Sequence, residues 1–264
     1  MVKVQKLWLV VVLSLFVTAC ASNHTEQQKQ ANVEVSDEYV ENEYSDERDP
    51  LESFNRVMWD FNWNVLDKHI LRPLAVGFLK MPEPAQDGVR NFVTNLEEPG
   101  YAINNLLQGK VTDSGVSVGR FVVNSTVGLL GIFDVAQHVG LERKKESFGE
   151  TLGVAGVGNG PYVMVPGYGP TTVRDASGDF VDGQFFPLVL LTLPETLLKT
   201  GLKAIYSRAD LMPQENMIEQ STDSYVFVKS AYFQSQEYKV HDGNPPLEDE
   251  DDEDFDEEFL DEID

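Results

Sequence analysis

A single cysteine, Cys20, and four histidines are all the soft metal ligands that 264 residues offer. One thiol forms neither an internal disulfide nor a cluster, and His24, His69, His138 and His241 stand at no ligand spacing. Disulfide scaffolds and zinc modules are therefore left out. Neither an HExxH nor a P-loop occurs, and the chain is read as lacking a nucleophile elbow as well. It is expected not to be an enzyme, and to use no cofactor. Positive charge is scarce too: 20 lysines and arginines face 44 aspartates and glutamates, for a net charge of −24. That balance speaks against a nucleic-acid partner, since phosphate binding needs a basic face. Nor does any apolar run reach the roughly 20 residues that a spanning helix requires.

What the chain does have begins at its N-terminus. Lys3 and Lys6 precede an apolar run over residues 7–17, and Val17-Thr18-Ala19-Cys20 follows. This pattern reads as a signal peptide over residues 1–19 that ends in a bacterial lipobox, with Cys20 the lipidated residue. Ala21 follows where lipoproteins retained at the inner membrane typically carry aspartate, so the outer membrane is the expected destination. Residues 20–49 read as an acidic tether with nine acids against Lys29 and Arg48, and residues 244–264 carry thirteen acids and no base. The acidity sits in the ends. Residues 50–243 keep a charge of only −6 and form the expected domain.

The most informative stretch is DPLESFNRVMWDFNWNVLD, residues 49–67. Asp49 suits an N-cap, Pro50 the first helical position, and Glu52 the partner position of a capping box. At about 100° per residue, Leu51, Phe54, Val57, Met58, Trp59, Phe61, Trp63, Val65 and Leu66 fill an apolar arc wider than that of a water-facing helix. Asn55 and Asn62 fall in the middle of it, one heptad apart. An unpartnered buried amide costs about 1–3 kcal/mol. Two readings fit: satisfied core asparagines that fix register, or a helix with lipid on one side and a polar lumen on the other.

Further along, Ala85, Val89, Phe92, Val93 and Leu96 recur at helical spacing. Glu97-Glu98-Pro99 then ends or kinks the helix, and Tyr101, Ile103, Leu106 and Leu107 continue to a stop at Gly109. Thr112 or Asp113 is a candidate cap for the next helix, where Gly115 and Gly119 form a small-xxx-small pair. Glu97/Glu98 and Asp179/Asp182 are expected to be solvated carboxylates at helix ends. Arg143, Lys144 and Lys145 make the most basic patch of the domain, read as a solvated loop or as a contact for lipid phosphate. Residues 149–183 are rich in glycine and read as flexible turns. Gly156 and Gly158 lack the strand and helix of a dinucleotide loop, and are expected to act as hinges. Residues 185–198, FFPLVLLTLPETLL, are the greasiest part of the mature chain. Interrupted by Pro187 and Pro194, they form a proline-bounded helical hairpin, either buried or dipping into a membrane. In the acidic tail, Phe255, Phe259 and Ile263 recur every four residues. That spacing makes a candidate helix-in-groove peptide, against simple disorder.

DPLESFNRVMWDFNWNVLD, NFVTNLEEPGYAINNLLQG, FGETLGVAGVGNGPYVMVPGYGP and TVRDASGDFVDG, with the lipobox before them, resemble the MlaA (VacJ) family of outer-membrane lipoproteins over about residues 49–240. The resemblance implies an all-α fold, a ring-shaped assembly of amphipathic helices around a central polar channel, sunk in the periplasmic leaflet of the outer membrane. It implies work with a trimeric porin: mislocalised phospholipid is drawn from the outer leaflet and passed to a soluble periplasmic lipid carrier, which preserves lipid asymmetry. By matching position, Phe61 and Asn62 belong to the first channel-forming helix, with Asn55 on the same arc. Gly156 and Gly158 belong to a hinge beside the pore, and Lys199 lies near the channel. Phe255, Phe259 and Ile263 are the expected carrier-binding positions. Two rival functions remain: a passive porin-associated structural lipoprotein and an envelope phospholipase.

Overall fold

The computed structural model describes residues 46–246. Cys20, Phe255, Phe259 and Ile263, with the signal segment and nearly all of the tether and tail, lie outside the described residues. Helix α1 (Glu52–Asp60) runs without a break through a π-helical segment (Phe61–Leu71) into α2 (Arg72–Leu79). Then come α3 (Glu83–Asn95), α4 (Glu98–Leu107), α5 (Val111–Thr126), the short α6 (Val135–His138) and α7 (Phe148–Val154). A hairpin of β1 (Tyr162–Val165) and β2 (Gly169–Thr172) leads to α8 (Val173–Asp182), and α9 (Leu193–Leu211), α10 (Glu215–Gln220) and α11 (Ser224–Val240) complete the described chain. The fold is mostly helical, with one two-stranded antiparallel sheet.

Several ends are set as the sequence implies. Pro99 and Pro194 occupy first-turn positions of α4 and α9, where a missing N–H costs nothing. Thr172 and Asp223 cap α8 and α11 through their side chains. Other expectations change. Asp49 does not cap α1; it is buried, and its carboxylate takes bonds from Asn55, Tyr225 and Lys229. The first helix does not stop near Leu66, because Pro73 falls in the first turn after the π-helical segment, and its fixed φ suits that place. Neither Thr112 nor Asp113 caps α5, which starts at Val111 without a side-chain cap. The glycine-rich stretch is not a run of loose turns. It holds α7, the hairpin and α8, and its glycines allow close backbone packing: a Cβ on Gly178 would lie 2.3 Å from the backbone nitrogen of Gly149.

The elements pack in a closed circuit. Helix α1 lies on β1, β2 on α8, α8 on α7, α7 on α4, α4 on α5, α5 on α3, α3 on α9, and α9 on α2, which continues the π-helical segment back to α1. The apolar interior is small. One cluster gathers Trp59, Tyr162, Met164, Tyr225 and Phe233, and a second gathers Ala75, Phe78 and Ala209. Among the described residues, buried polar side chains outnumber buried apolar ones. Large apolar side chains point outward instead: Leu51, Phe54, Val57, Phe61 and Val65 along the first helix, Val118 and Val122 on α5, and Leu193, Leu197 and Leu198 on α9. The hairpin over residues 185–198 is one turn of 3-10 helix leading into α9 rather than two helical arms, and Leu190, Leu193, Leu197 and Leu198 are exposed while Leu188 and Leu191 are half-buried. An apolar surface of this extent marks contact with a membrane or another protein. Among the described residues, no helix is long and apolar enough to cross a membrane.

Candidate functional site

Asn55 and Asn62 both clasp the hairpin. The Asn55 amide donates to Asp49 Oδ1 at 2.7 Å and to the Tyr162 carbonyl at 3.1 Å, and its oxygen accepts the Met164 N–H at 2.8 Å. Asn62 repeats the pattern one step along, donating to the Val165 carbonyl at 2.9 Å and accepting the Gly167 N–H at 2.8 Å. Each amide acts as a piece of β-strand edge, meeting backbone groups that two strands alone leave unpaired. Asn55 is 0 % exposed. It has neither surface nor spare hydrogen bonds for a channel, so of its two readings the satisfied core asparagine holds. Asn62 is half-buried, with its amide committed to the hairpin. Phe61 parts from them and joins the exposed stripe of Leu51, Phe54, Val57 and Val65.

On another side of the circuit, charge converges where water reaches it. Glu97, in the turn between α3 and α4, takes Lys199 and Lys203 of α9 on Oε1, both at 2.8 Å, and the Tyr101 hydroxyl on Oε2 at 2.7 Å. Burial alone would push the Glu97 carboxyl up; Lys203 and Lys199 overcome it and hold it at about 2. Lys203 remains 49 % exposed at its side chain, so the cluster reaches water there. The loop before α7 brings Lys145 near the same place. Asn104 and Asn105 fix that loop by donating to the carbonyls of Glu146 and Lys144, both at 3.1 Å. Burial, then Arg143 and Lys203, lower the Lys145 pKa. Burial raises the Glu150 and Asp182 carboxyls, and Asp179 takes the Tyr168 hydroxyl.

A second charged knot is largely buried. Arg120, 1 % exposed, donates to Glu98 Oε1 at 2.7 Å and Asp134 Oδ2 at 2.7 Å, and Arg143 reaches the same two oxygens. Glu97 and Glu98 are therefore not the solvated pair expected at a helix end; both are buried and neutralised by cations. A 230 Å³ hollow lined by Trp63, Asp67, Lys68, Arg72 and Glu215 is also charged, but there Arg72 pairs with Glu215 and Arg208 with Asp67. One pattern went unread in the sequence. Gly115-Val116-Ser117-Val118-Gly119 spells G-x-S-x-G, yet Ser117 lies inside α5 and is 0 % exposed. A nucleophile elbow needs a sharp strand-to-helix turn that presents the hydroxyl; here the serine is packed inside a helix. Among the described residues, no group of three His, Cys, Asp or Glu is placed to hold a metal ion.

Of the expected site residues, Lys199 lies in the Glu97 cluster. Gly156 has φ +85° with open space at its Cβ position, a backbone that only glycine adopts cheaply, whereas Gly158 has room but no such φ. Glu97 and Lys203 were missed as partners, because neither charge nor period marks a polar residue whose partner lies a hundred residues away. The repeated asparagines of Asn104-Asn105, set within apolar positions like Asn55 and Asn62, were the available signal.

The family model described as MlaA lipoprotein matches residues 47–239. The "intermembrane phospholipid transport system lipoprotein MlaA" of Escherichia coli (strain K12) is 41 % identical over 228 residues, covering 85 % of this chain and 84 % of that protein. The Haemophilus influenzae protein of the same description is 34 % identical over 236 residues, covering 87 % and 88 %. A solved structure described as the "structural basis for maintenance of bacterial outer membrane lipid asymmetry" aligns with a TM-score of 0.69 at 43 % identity, covering 73 % of this chain and 98 % of that one. From the match over nearly the whole described domain, this chain belongs to the MlaA lipoprotein family.

Proposed function

We propose that this protein is an outer-membrane lipoprotein of a retrograde phospholipid transport pathway. Anchored through Cys20, it lies in the periplasmic leaflet, takes mislocalised phospholipid from the outer leaflet through a polar channel, and passes it to a soluble periplasmic carrier, with a trimeric porin as its membrane partner. The observation that carries this reading is the inverted polarity of the domain: a closed circuit of packed elements that exposes leucine, valine and phenylalanine while it buries polar side chains, among them Glu97 with its partners Lys199 and Lys203. A charged phosphate does not cross hydrocarbon uncompensated, so a lipid leaving one leaflet needs a wet, charged path beside a greasy one. In this reading Lys199 and Asn62 belong to the wall of that path and Phe61 to the acyl-facing rim. Gly156 is the hinge, with Gly158 beside it, and Phe255, Phe259 and Ile263 form the carrier-binding face of the tail. The names of the relatives in Escherichia coli and Haemophilus influenzae support the lipid as cargo.

The test is surface phospholipid in a strain lacking the gene. Loss should expose phospholipid on the cell surface, and the wild-type gene should reverse it. Unchanged surface lipid would reduce the protein to a passive porin-associated component, and lysophospholipid released by the purified protein would make it a phospholipase.

A further inference from the structure

The π-helical segment lines a cavity to which none of the Glu97 cluster contributes. Trp63, Asp67 and Lys68 of that segment, Arg72 at the start of α2, and Glu215 and Glu219 of α10 border its 230 Å³. The winding explains why they meet. On an α-helix, at about 100° per residue, Trp63 and Lys68, or Asp67 and Arg72, would point roughly 140° apart. A helix bonded from i to i+5 sets residues five apart on adjoining turns of one side. Such winding is rare, is mostly confined to single turns and is frequent at functional sites; here it runs for 11 residues.

Most of the charge on this hollow is already paired. Arg72 donates to Glu215 at 2.8 Å, and Arg208 of α9 holds Asp67 at 2.7 Å and Glu215 at 3.3 Å. Asp67 and Glu215 are buried, and the Arg208 guanidinium lies 5.5 Å from the centre of the Trp63 ring, so these groups form a fixed frame. Lys68 and Glu219 remain. Both are exposed, both line the hollow, and neither forms an ion pair among the described residues. One ammonium and one carboxylate, on two different elements, thus border a single cavity without closing on each other. The same two elements expose Val65, Ile70 and Met217.

We propose that this hollow seats the zwitterionic headgroup of an ethanolamine glycerophospholipid, with Lys68 and Arg72 at its phosphate and Glu219 at its ammonium. This rests on the reading of the domain as seated in a lipid leaflet, and adds a site outside the Glu97 cluster. The charges select the ligand. Asp67, Glu215 and Glu219 balance Lys68, Arg72 and Arg208, so the set attracts neither sign in excess. An anion alone would engage Lys68 and leave Glu219 without a partner, and a cation alone would do the reverse. A headgroup that carries both signs meets both, through charge-assisted hydrogen bonds. The side chain of Arg72 is 47 % exposed although paired with Glu215, so its guanidinium has donors left for a phosphate. Val65, Ile70 and Met217 offer the acyl chains an apolar surface on the same elements.

The experiment uses the full chain in detergent micelles. Binding is measured for short-chain phosphatidylethanolamine, short-chain phosphatidylglycerol, the corresponding diacylglycerol without phosphate, and free phosphoethanolamine. Lys68→Gln should weaken both phospholipids about tenfold and leave diacylglycerol unchanged, and Lys68→Arg should keep most of the affinity. Glu219→Gln should weaken phosphatidylethanolamine about tenfold and leave phosphatidylglycerol at or above its wild-type affinity. Lys80→Gln, at an exposed lysine that does not line the hollow, is the control and should bind as the wild type does. Equal phosphatidylethanolamine binding by the wild type, Lys68→Gln and Glu219→Gln overturns the proposal, as does a Glu219→Gln variant that loses both phospholipids alike. Free phosphoethanolamine held as tightly as the phospholipid would make this a small-molecule site and also overturn it. Failure of the leaflet reading is seen elsewhere, as a Cys20→Ala chain that does not float with vesicles of phosphatidylethanolamine and phosphatidylglycerol.

Discussion

Two parts of the domain hold polar side chains amid apolar neighbours, and they treat them in opposite ways. Where α1 meets the hairpin, Asn55 is sealed and each of its amide atoms has a backbone or carboxylate partner. Around Glu97, the lysines of α9 share one acid, and Lys203 still reaches water. The first region uses polarity to fix a shape. The second shares one carboxylate between two cations and leaves part of that charge in water. A polar residue on an apolar arc is therefore not by itself the mark of a channel; what separates the two cases is whether its hydrogen bonds are already taken.

The contrast is tested most severely at the sealed knot. Arg120→Met leaves the buried carboxylates of Glu98 and Asp134 with Arg143 as their remaining cation, and removal of one partner from a buried ion pair costs about 3–5 kcal/mol. Equilibrium unfolding in detergent should register that loss; a drop under about 1 kcal/mol would mean that water enters the knot. Asn55→Ala should come next, at about 2–3 kcal/mol, because the Met164 N–H and the Asp49 carboxylate lose a buried partner. Asn62→Ala should cost about 1 kcal/mol by the same measurement, since Gly167 is exposed and water can replace the amide.

Glu97 centres the second region, and pH exposes its role. Its folded carboxyl is held at about 2 against an ordinary 4.5. A depressed carboxyl stabilises the fold above its unfolded pKa, and that contribution is lost as pH falls from about 4.5 through about 2. Unfolding measured across this window should show a steeper loss in the wild type than in Glu97→Gln, and identical slopes would mean that the lysines do not hold the carboxyl down. The smallest stability effect is expected at Lys203→Gln, within about 1 kcal/mol, because a half-exposed ion pair contributes little and Glu97 keeps Lys199. Surface phospholipid should nevertheless rise in cells carrying it; a stable variant with unchanged surface lipid would detach this lysine from transport.

The helices before Gly109 were largely legible, because Pro99, Gly109 and the apolar period each act within one turn of the chain. The hairpin was not. Tyr162, Val163 and Met164 pair with Pro170, Thr171 and Thr172 across a glycine turn, and composition there reads only as flexibility. The site was half visible: Lys199 was placed by resemblance, while Glu97 looked like one more solvated acid. Its partners Lys199 and Lys203 arrive from α9, about a hundred residues later, and nothing local announces them.

By itself the sequence determined the helical class, the uneven charge of the ends, the anchor position expected at Cys20 and the excess of outward apolar surface. Each of these follows from local order or composition, which the chain carries whatever its fold. Only the tertiary structure decided which polar groups are spent and which are free. That depends on distances between residues far apart in sequence: Asn55 to Tyr162 at 3.1 Å, and Glu97 to Lys203 at 2.8 Å. A hydrogen bond has a range of about 3 Å, and no periodicity encodes it.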